Sequence, residues 1–516
     1  MGRSLSRRDF LKLMASLPPS LYLSRFLQGP GQVQQNPNAK NVIIVLFDAL
    51  SAKNISLYGY PRDTMPNLAR IAEKGTVYHN HYAGGSWTTP GTASLLTGTY
   101  PWTHRAINEL GTVIKGRERN NIFNLFDGYY RIGYSHNTNV YRFFGQFAPD
   151  MEFVERRKDL FITNKLSFDR LFPDDGDIAP LSWDRMVEEG EKGATYSLFF
   201  APLYDLYRQH IMDRYMESFP RGIPRTGEDD YFLLEDGVNW MLSQVGTIRN
   251  PFLGYFHYLP PHSPYHTRRD FVNTFDNDGI EHYIEKPTEP YFGGAKNKPQ
   301  NFTYQAKQRQ DYDEFILYAD SELGRLYDSL EKSGVLENTW FVFTSDHGEL
   351  FERGVFGHRT PVLYQPVVNI PLVIVEPGQK ERRNVYSPTG AVDVLPTLLK
   401  VTGREIPDWA EGEVLPPFSE ISPSPDRSVY AVEATKSGKT GPLNPVSIML
   451  VKGKYKLTAY LGYKQTRNQP VFVLYDIEDD PEELMDIYDP SSRISQELQE
   501  ELLVKLREVD KPYTKG

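Results

Sequence analysis

The sequence predicts an α/β protein that ends in a small antiparallel β-sheet with a helix, and three observations carry that expectation. Residues 42–47 (VIIVLF) and 340–344 (WFVFT) are continuous apolar runs, the pattern of strands buried on both faces of a sheet. Between them the chain repeatedly takes helical spacing; in 312–333 the apolar residues Phe315, Ala319, Leu323, Leu326 and Leu330 fall on one helix face. Beyond a proline-rich stretch, four short β-type runs follow closely and a helical segment closes the chain.

Composition narrows the function. A chain of 516 residues can bury a large core and hold more than one structural unit. A net charge of -10, with no long run of Lys or Arg, excludes the basic footprint of a nucleic-acid partner. Absence of cysteine removes disulfides, thiolate metal sites and a Cys nucleophile together. Any metal must therefore be held by Asp, Glu, His or hydroxyl groups.

Residues 1–27 open with Ser6-Arg7-Arg8-Asp9-Phe10-Leu11-Lys12 and continue into a short apolar run broken by Pro18 and Pro19, the pattern of a twin-arginine export signal. A periplasmic or extracellular protein is expected, and without a clear A-x-A cleavage site the segment could stay as a membrane anchor. Residues 28–40, rich in Gly, Gln, Asn and Pro, read as a linker.

A main domain, 41–403, begins with the first buried strand, which delivers Asp48 at its carboxyl end, the edge where α/β sheets line their ligand crevice. A short helix at 65–75, stopped by Gly75, and a strand at 76–79 come next. In 85–98 (GSWTTPGTASLLTG) Thr88 offers a hydroxyl, Thr89 can cap a helix, Pro90 suits its first position and Gly98 can end it. The unpaired N–H groups and positive dipole end of such a helix favour a phosphate or sulfate group, so a hydroxyl there meets a docking oxyanion.

Residues 121–142 read as a helix, a turn at Gly133 and a strand ending near 137–139, and the charged, aromatic stretch 155–230 as a partly helical insertion that could cover the crevice. A helix at 231–245 and a strand at 252–257 lead into HYLPPHSPY (257–265), a proline-stiffened loop carrying His257 and His262. The second buried strand then delivers Asp346 and His347. A hard carboxylate beside an imidazole, joined by Asp48, is suited to one divalent ion. His358 and Arg359 could add positive charge to the same crevice. A strand at 370–375 and a helix at 391–402, with Pro396 near its start, complete the domain. Proline-rich 404–427 reads as a linker to an α+β subdomain, 428–516, with strands at 428–433, 446–451, 455–460 and 472–476 and a helix at 495–509.

Together VIIVLFDAL, SLYGYPRDTMPNLARIAEKG, WTTPGTASLLTGTYP, FHYLPPHSPY, LGRLYDSLEKSGVLENTWFVFTSDHGELF, VDVLPTLL and VLYDIEDDPEEL resemble the sulfatase-like branch of the alkaline phosphatase superfamily. The resemblance implies an α/β/α sandwich around a large mixed sheet. It implies Thr88 as nucleophile, Asp48, Asp346, His347 and Thr88 around one divalent ion (Mn, Mg, Ca or Zn), and His262 at the leaving group or substrate. His257, His358 and Arg359 become further substrate contacts. The implied substrate is a small-molecule or glycan- or lipid-linked phosphate or sulfate ester.

Two departures bear on the reaction. Sulfatases of the family carry a Cys or Ser, oxidised to formylglycine, in a C/S-x-P-S-R pattern, whereas the aligned run here is Thr88-Thr89-Pro90-Gly91-Thr92, with neither the convertible residue nor the arginine. Where many have two successive carboxylates after the first strand, Asp48 is followed by Ala49. A formylglycine hydrate keeps a second hydroxyl that can expel sulfate by C–O cleavage; a threonine ester has no such exit. A phosphorylated threonine can instead be attacked at phosphorus by water or an alcohol, so phosphodiester or phosphoryl-transfer chemistry is expected. A sulfuric ester hydrolase working without formylglycine, and an exported anion-binding protein without catalysis, are the two other readings.

Overall fold

The first strand, β1 (Asn41–Asp48), lies at the middle of the structure and is buried along its whole length. The computed structural model describes residues 39–163, 197–226, 230–276, 278–280, 286–292, 302–420 and 427–514. The expected export signal and most of the linker after it lie outside the described residues, as does much of the expected insertion.

Seven further strands join β1 in a mixed sheet: β2 (Thr76–Tyr78), β3 (Tyr130–Ser135), β4 (Phe153–Val154), β5 (Phe252–Pro261), β6 (Thr339–Ser345), β7 (Leu372–Val375) and β8 (Arg383–Val385). Their order is β8-β2-β7-β6-β1-β5-β3-β4. β1 pairs in parallel with both β5 and β6, which accounts for unbroken apolar runs where the period of two would otherwise alternate.

Helices cover both faces. One face, with Ile43, Val45, Phe47, Phe341 and Phe343, packs against α1 (Pro66–Ala72), α5 (Leu234–Val245) and the long α6 (Phe302–Lys332). The other, with Val42, Ile44, Leu46, Tyr255 and Val342, packs against α2 (Thr88–Thr97), α3 (Ile122–Leu125), α4 (Thr138–Phe147) and α7 (Val394–Val401). This is the α/β/α sandwich, and Pro396 stands in the first turn of α7, where a missing N–H costs nothing. A further helix spans Ser197–Met216.

Four antiparallel strands, β9 (Ser428–Glu433), β10 (Val446–Lys452), β11 (Tyr455–Leu461) and β12 (Val471–Asp476), and α8 (Arg493–Asp510) form the C-terminal sheet and helix. β9 also reaches the segment leading into α2: the Val432 N–H donates to the Gly84 carbonyl at 3.0 Å.

Two expected boundaries are corrected. Gly133 does not turn the chain but lies inside β3, where Phe144 and Met151 pack within 3.0 Å of the position a Cβ would take, so only glycine fits. The strand therefore ends at Ser135, and Asn137 caps α4 instead of closing a strand. The second correction is β5, which runs to Pro261, so His257 sits inside a strand and not in a loop.

Candidate active site

Strand register brings the site together. Thr344, Leu46, His257 and Ser135 stand side by side across β6, β1, β5 and β3. Side chains along a strand alternate faces, so two residues further on Asp346, Asp48 and Asn137 leave the sheet on that same face. An irregularity between Phe47 and Asp48 shifts the β1–β5 register at this point, as bulges at strand ends commonly do to re-aim a side chain.

His257 Nε2 lies 3.0 Å from Asp48 Oδ2 and 3.8 Å from Asp346 Oδ2. His347 Nε2 lies 3.3 Å from Asp48 Oδ1 and 3.6 Å from Asp346 Oδ2. All four side chains are buried. Asp346 is oriented by two backbone donors, the N–H groups of His347 (3.1 Å) and Ala49 (3.3 Å). Ala49 turns with φ 60, a left-handed conformation uncommon for a residue with a side chain.

Helix α2 brings Thr88 to this group. Its Oγ1 is 3.4 Å from His347 Nε2 and accepts from Asn137 Nδ2 at 3.4 Å. The same Asn137 amide donates to Asp48 Oδ2 at 2.6 Å, so one NH2 with two protons ties the first carboxylate to the hydroxyl. Gly91 makes the approach possible: a Cβ there would stand 2.1 Å from the Asp346 carbonyl oxygen.

The start of α2 differs from expectation. Thr88 is already helical and Trp87 is the capping residue, without a side-chain cap; the Thr89 hydroxyl is buried without a partner. The Gly91 N–H already donates to the Trp87 carbonyl and Pro90 has none, so the unpaired N–H groups expected at this helix start reduce to those of Thr88 and Thr89. Gly98 ends the helix at φ 61, as expected.

Electrostatics follow from burying two carboxylates together. Burial raises the Asp48 pKa, but hydrogen bonds from His257 and His347 outweigh it and hold Asp48 well below the ordinary carboxylate range. Burial and then the Asp48 charge push Asp346 up. For His347 burial acts downward, yet Asp346 and Asp48 carry it to about 9.

This donor set fits a divalent cation. Ligand atoms of Asp48, His257 and Asp346 all lie within 4.8 Å of one another. Asp48 Oδ1 is buried with His347 Nε2, 3.3 Å away, as its polar neighbour, so one carboxylate oxygen and an imidazole nitrogen face the same point, as two ligands of a cation would. His347 Nδ1 is held at 2.9 Å by the Gly348 carbonyl and His257 Nδ1 at 3.1 Å by the Tyr255 hydroxyl, which leaves each Nε2 toward the carboxylates. His257, expected as a substrate contact, thus belongs with the candidate metal ligands.

The other expected residues form a second rank. The His358 ring centroid is 4.4 Å from that of His347 and 4.8 Å from that of His262. Burial draws the His358 pKa down to about 4 despite Glu349, whose carboxylate meets its Nδ1 at 3.1 Å. His262 holds the Ser263 carbonyl through Nδ1 at 2.7 Å. Arg359 stands further out, over the Trp87 ring. Asn137 and Glu349 were absent from the expected site; an Asn immediately beyond a strand of the same sheet was the available signal for the first.

Comparison with known proteins follows this geometry. A family model described as Sulfatase matches residues 40–404, and one described as N-sulphoglucosamine sulphohydrolase, C-terminal, matches 351–511. Arylsulfatase K of Bos taurus is 22% identical over 507 residues, covering 92% of this chain and 83% of its own. Among solved structures, phosphonate monoester hydrolase of Agrobacterium radiobacter superposes with a TM-score of 0.63 at 18% identity, covering 91% of this chain and 95% of its own. BT4656, solved with its substrate D-glucosamine-2-N,6-O-disulfate, superposes at 0.65 and 17% identity, covering 92% and 98%.

Proposed function

From the premise that the chain belongs to the sulfatase family, we propose that it is a metal-dependent ester hydrolase with Thr88 as nucleophile, favouring phosphorus esters such as phosphodiesters and phosphonate monoesters over sulfate esters. One observation carries the reading: the Thr88 hydroxyl, at the first residue of a buried helix, lies 3.4 Å from both His347 Nε2 and Asn137 Nδ2, beside the buried Asp48 carboxylate that both of those groups also approach.

Asp48, His257 and Asp346, with His347 beside them, would hold a divalent ion, which would lower the pKa of a nearby hydroxyl and offset charge on an ester oxygen. Asn137 orients the Thr88 oxygen by donating to it. Thr88 Oγ gives up its proton to solvent and attacks phosphorus as the bond to the leaving alcohol breaks, and the N–H groups of Thr88 and Thr89 face the charge that develops. His262, whose Nδ1–H donates to the Ser263 carbonyl, acts as the imidazolium and gives its Nε2 proton to the departing oxygen. Water or an acceptor alcohol then attacks the phosphothreonine at phosphorus and releases Oγ.

A panel of aryl sulfate, phosphomonoester, phosphodiester and phosphonate esters, run with Mn, Mg, Ca and Zn, tests this. Phosphodiester or phosphonate turnover should exceed that of the sulfate, and Thr88→Ala should lose about 10³-fold or more in kcat. Faster turnover of the aryl sulfate would instead support a sulfuric ester hydrolase, the reading favoured by the arylsulfatase relatives. No turnover with any ion would leave an anion-binding protein. Export is a separate proposal, resting on Arg7-Arg8 and the run after them; replacing both arginines by lysine should retain the protein in the cytoplasm, read by cell fractionation.

A further inference from the structure

Arg359 is next in the chain to His358, whose ring lies between those of His347 and His262. Its guanidinium stands 4.8 Å over the centroid of Trp87, the residue immediately before Thr88. Trp87 itself is buried, so Arg359 roofs the floor from which the nucleophile projects. The neighbouring backbone is fixed: Ser86 Oγ lies 3.4 Å from the Thr360 carbonyl and 3.3 Å from the buried carboxylate of Glu433. Arg359 is therefore held over Trp87, the residue before Thr88, from below and remains 43% exposed above.

On its open side it pairs with Glu109, at 3.0 Å and 3.2 Å, and its charge also reaches the buried Glu433 carboxylate. Glu109 is 62% exposed, and its pair with Arg359 holds its carboxyl below the ordinary range. Ion pairs open to water hold weakly, because solvent and salt screen them. A planar guanidinium resting on an indole face is pre-oriented for a bidentate oxyanion. These facts describe a binding group whose present partner is easily exchanged for another carboxylate, sulfate or phosphate.

We propose that Arg359 on Trp87, with Glu109 as a displaceable internal competitor, is a subsite for a second anionic group, so that the site selects esters whose alcohol part carries a negative charge of its own. The proposal rests on the Thr88 reading for the position of the first anion. It adds the substrate class: a doubly anionic ester whose remote charge replaces Glu109 on Arg359. It also supplies an arginine over Trp87, the residue before Thr88, from a different part of the chain than position 92, where the family pattern has its arginine.

Binding and turnover separate the two readings. With manganese present, calorimetry compares ω-phosphonocarboxylates of one to three methylenes with alkylphosphonates of equal length. At least one phosphonocarboxylate should bind ten-fold or more tightly than its uncharged counterpart. That ratio should fall to near one in Arg359→Ala, recover in part in Arg359→Lys, and rise about three-fold in Glu109→Gln. The same variants are read on 4-nitrophenyl esters with and without a ring carboxylate, where the preference should lie mainly in KM. No preference at any length in the wild type, or equal losses for both ligand series in Arg359→Ala with the ratio unchanged, would overturn the subsite. Intact binding preference without turnover of any ester would overturn the catalytic reading and leave the subsite standing.

Discussion

At the scale of single residues, the site depends on groups with two partners each. Asn137 bonds Asp48 and Thr88 with one amide, so Asn137→Ala should lower kcat by about 10²-fold, the usual effect of losing one positioned donor, while the thermal transition stays in place. Asp346 is different, because it faces the two imidazoles His257 and His347 and so stands among the candidate metal ligands. Manganese at a hundred times its Kd should stabilise the wild type by about 2.7 kcal/mol, and Asp346→Asn should abolish that shift in differential scanning fluorimetry. Asp48, Thr88, Asp346 and His347 were legible in the sequence because each stands where a strong element starts or stops. His257 was misassigned because prolines at 260 and 261 read as the beginning of a loop, although β5 continues through both. Asn137 was missed because Gly133 read as a turn, which moved the strand end past it.

At the scale of elements, helix α2 is fixed by contacts that allow little adjustment. Gly91→Ala would place a methyl 2.1 Å from the Asp346 carbonyl oxygen. The variant should lose about 1–3 kcal/mol of stability, the range for overpacking a tight interior, and most of its activity, since the helix can yield only by moving Thr88. On its other flank α2 is held by His104. The Ala106 N–H donates to His104 Nδ1 at 3.0 Å, which puts the ring proton on Nε2, 3.2 Å from Ser94 Oγ. A second proton would break the Ala106 bond. Burial, reinforced by the charge of Arg105, draws the His104 pKa down to about 3. The unfolded chain takes up its proton near pH 6.5 and the folded chain does not. The contribution of His104 is therefore complete above pH 6.5 and is lost as pH falls toward 3, at about 1.4 kcal/mol for each unit. Urea titrations across that window should show a slope shallower by about one proton in His104→Gln. The bounds of the C-terminal strands and helix were legible because apolar period and turn residues agree locally, whereas α4 was read as the end of a strand and α6 begins ten residues before its expected start. The cap of α2 was not legible, since Trp87 serves through its extended backbone and not through a side chain.

At the scale of the whole molecule, the C-terminal sheet is joined to the core by a shared apolar cluster in which Tyr100, Trp102 and Val392 pack with Val432, Ile448 and Leu498. Arg105 locks the junction: fully buried, it pairs with Asp510 at 3.1 Å at the end of α8 and lies 3.6 Å from the Tyr513 ring. Asp510→Ala should cost about 3 kcal/mol, as removal of one partner of a buried pair does, and denaturation monitored by fluorescence and by circular dichroism should still show one common transition. None of this was legible in advance, because residues 105 and 510 carry no local pattern that relates them. The order of strands has a consequence for synthesis. Asn137, Asp48 and Asp346 come from the ends of β3, β1 and β6 and His257 from within β5, neighbours in space that are scattered along the chain. A nascent chain on the ribosome has made three of these strands well before the fourth exists. If the row holds a cation as proposed, uptake would wait for β6 to complete it, and fragments ending before Thr339 should be unable to sequester manganese at this site.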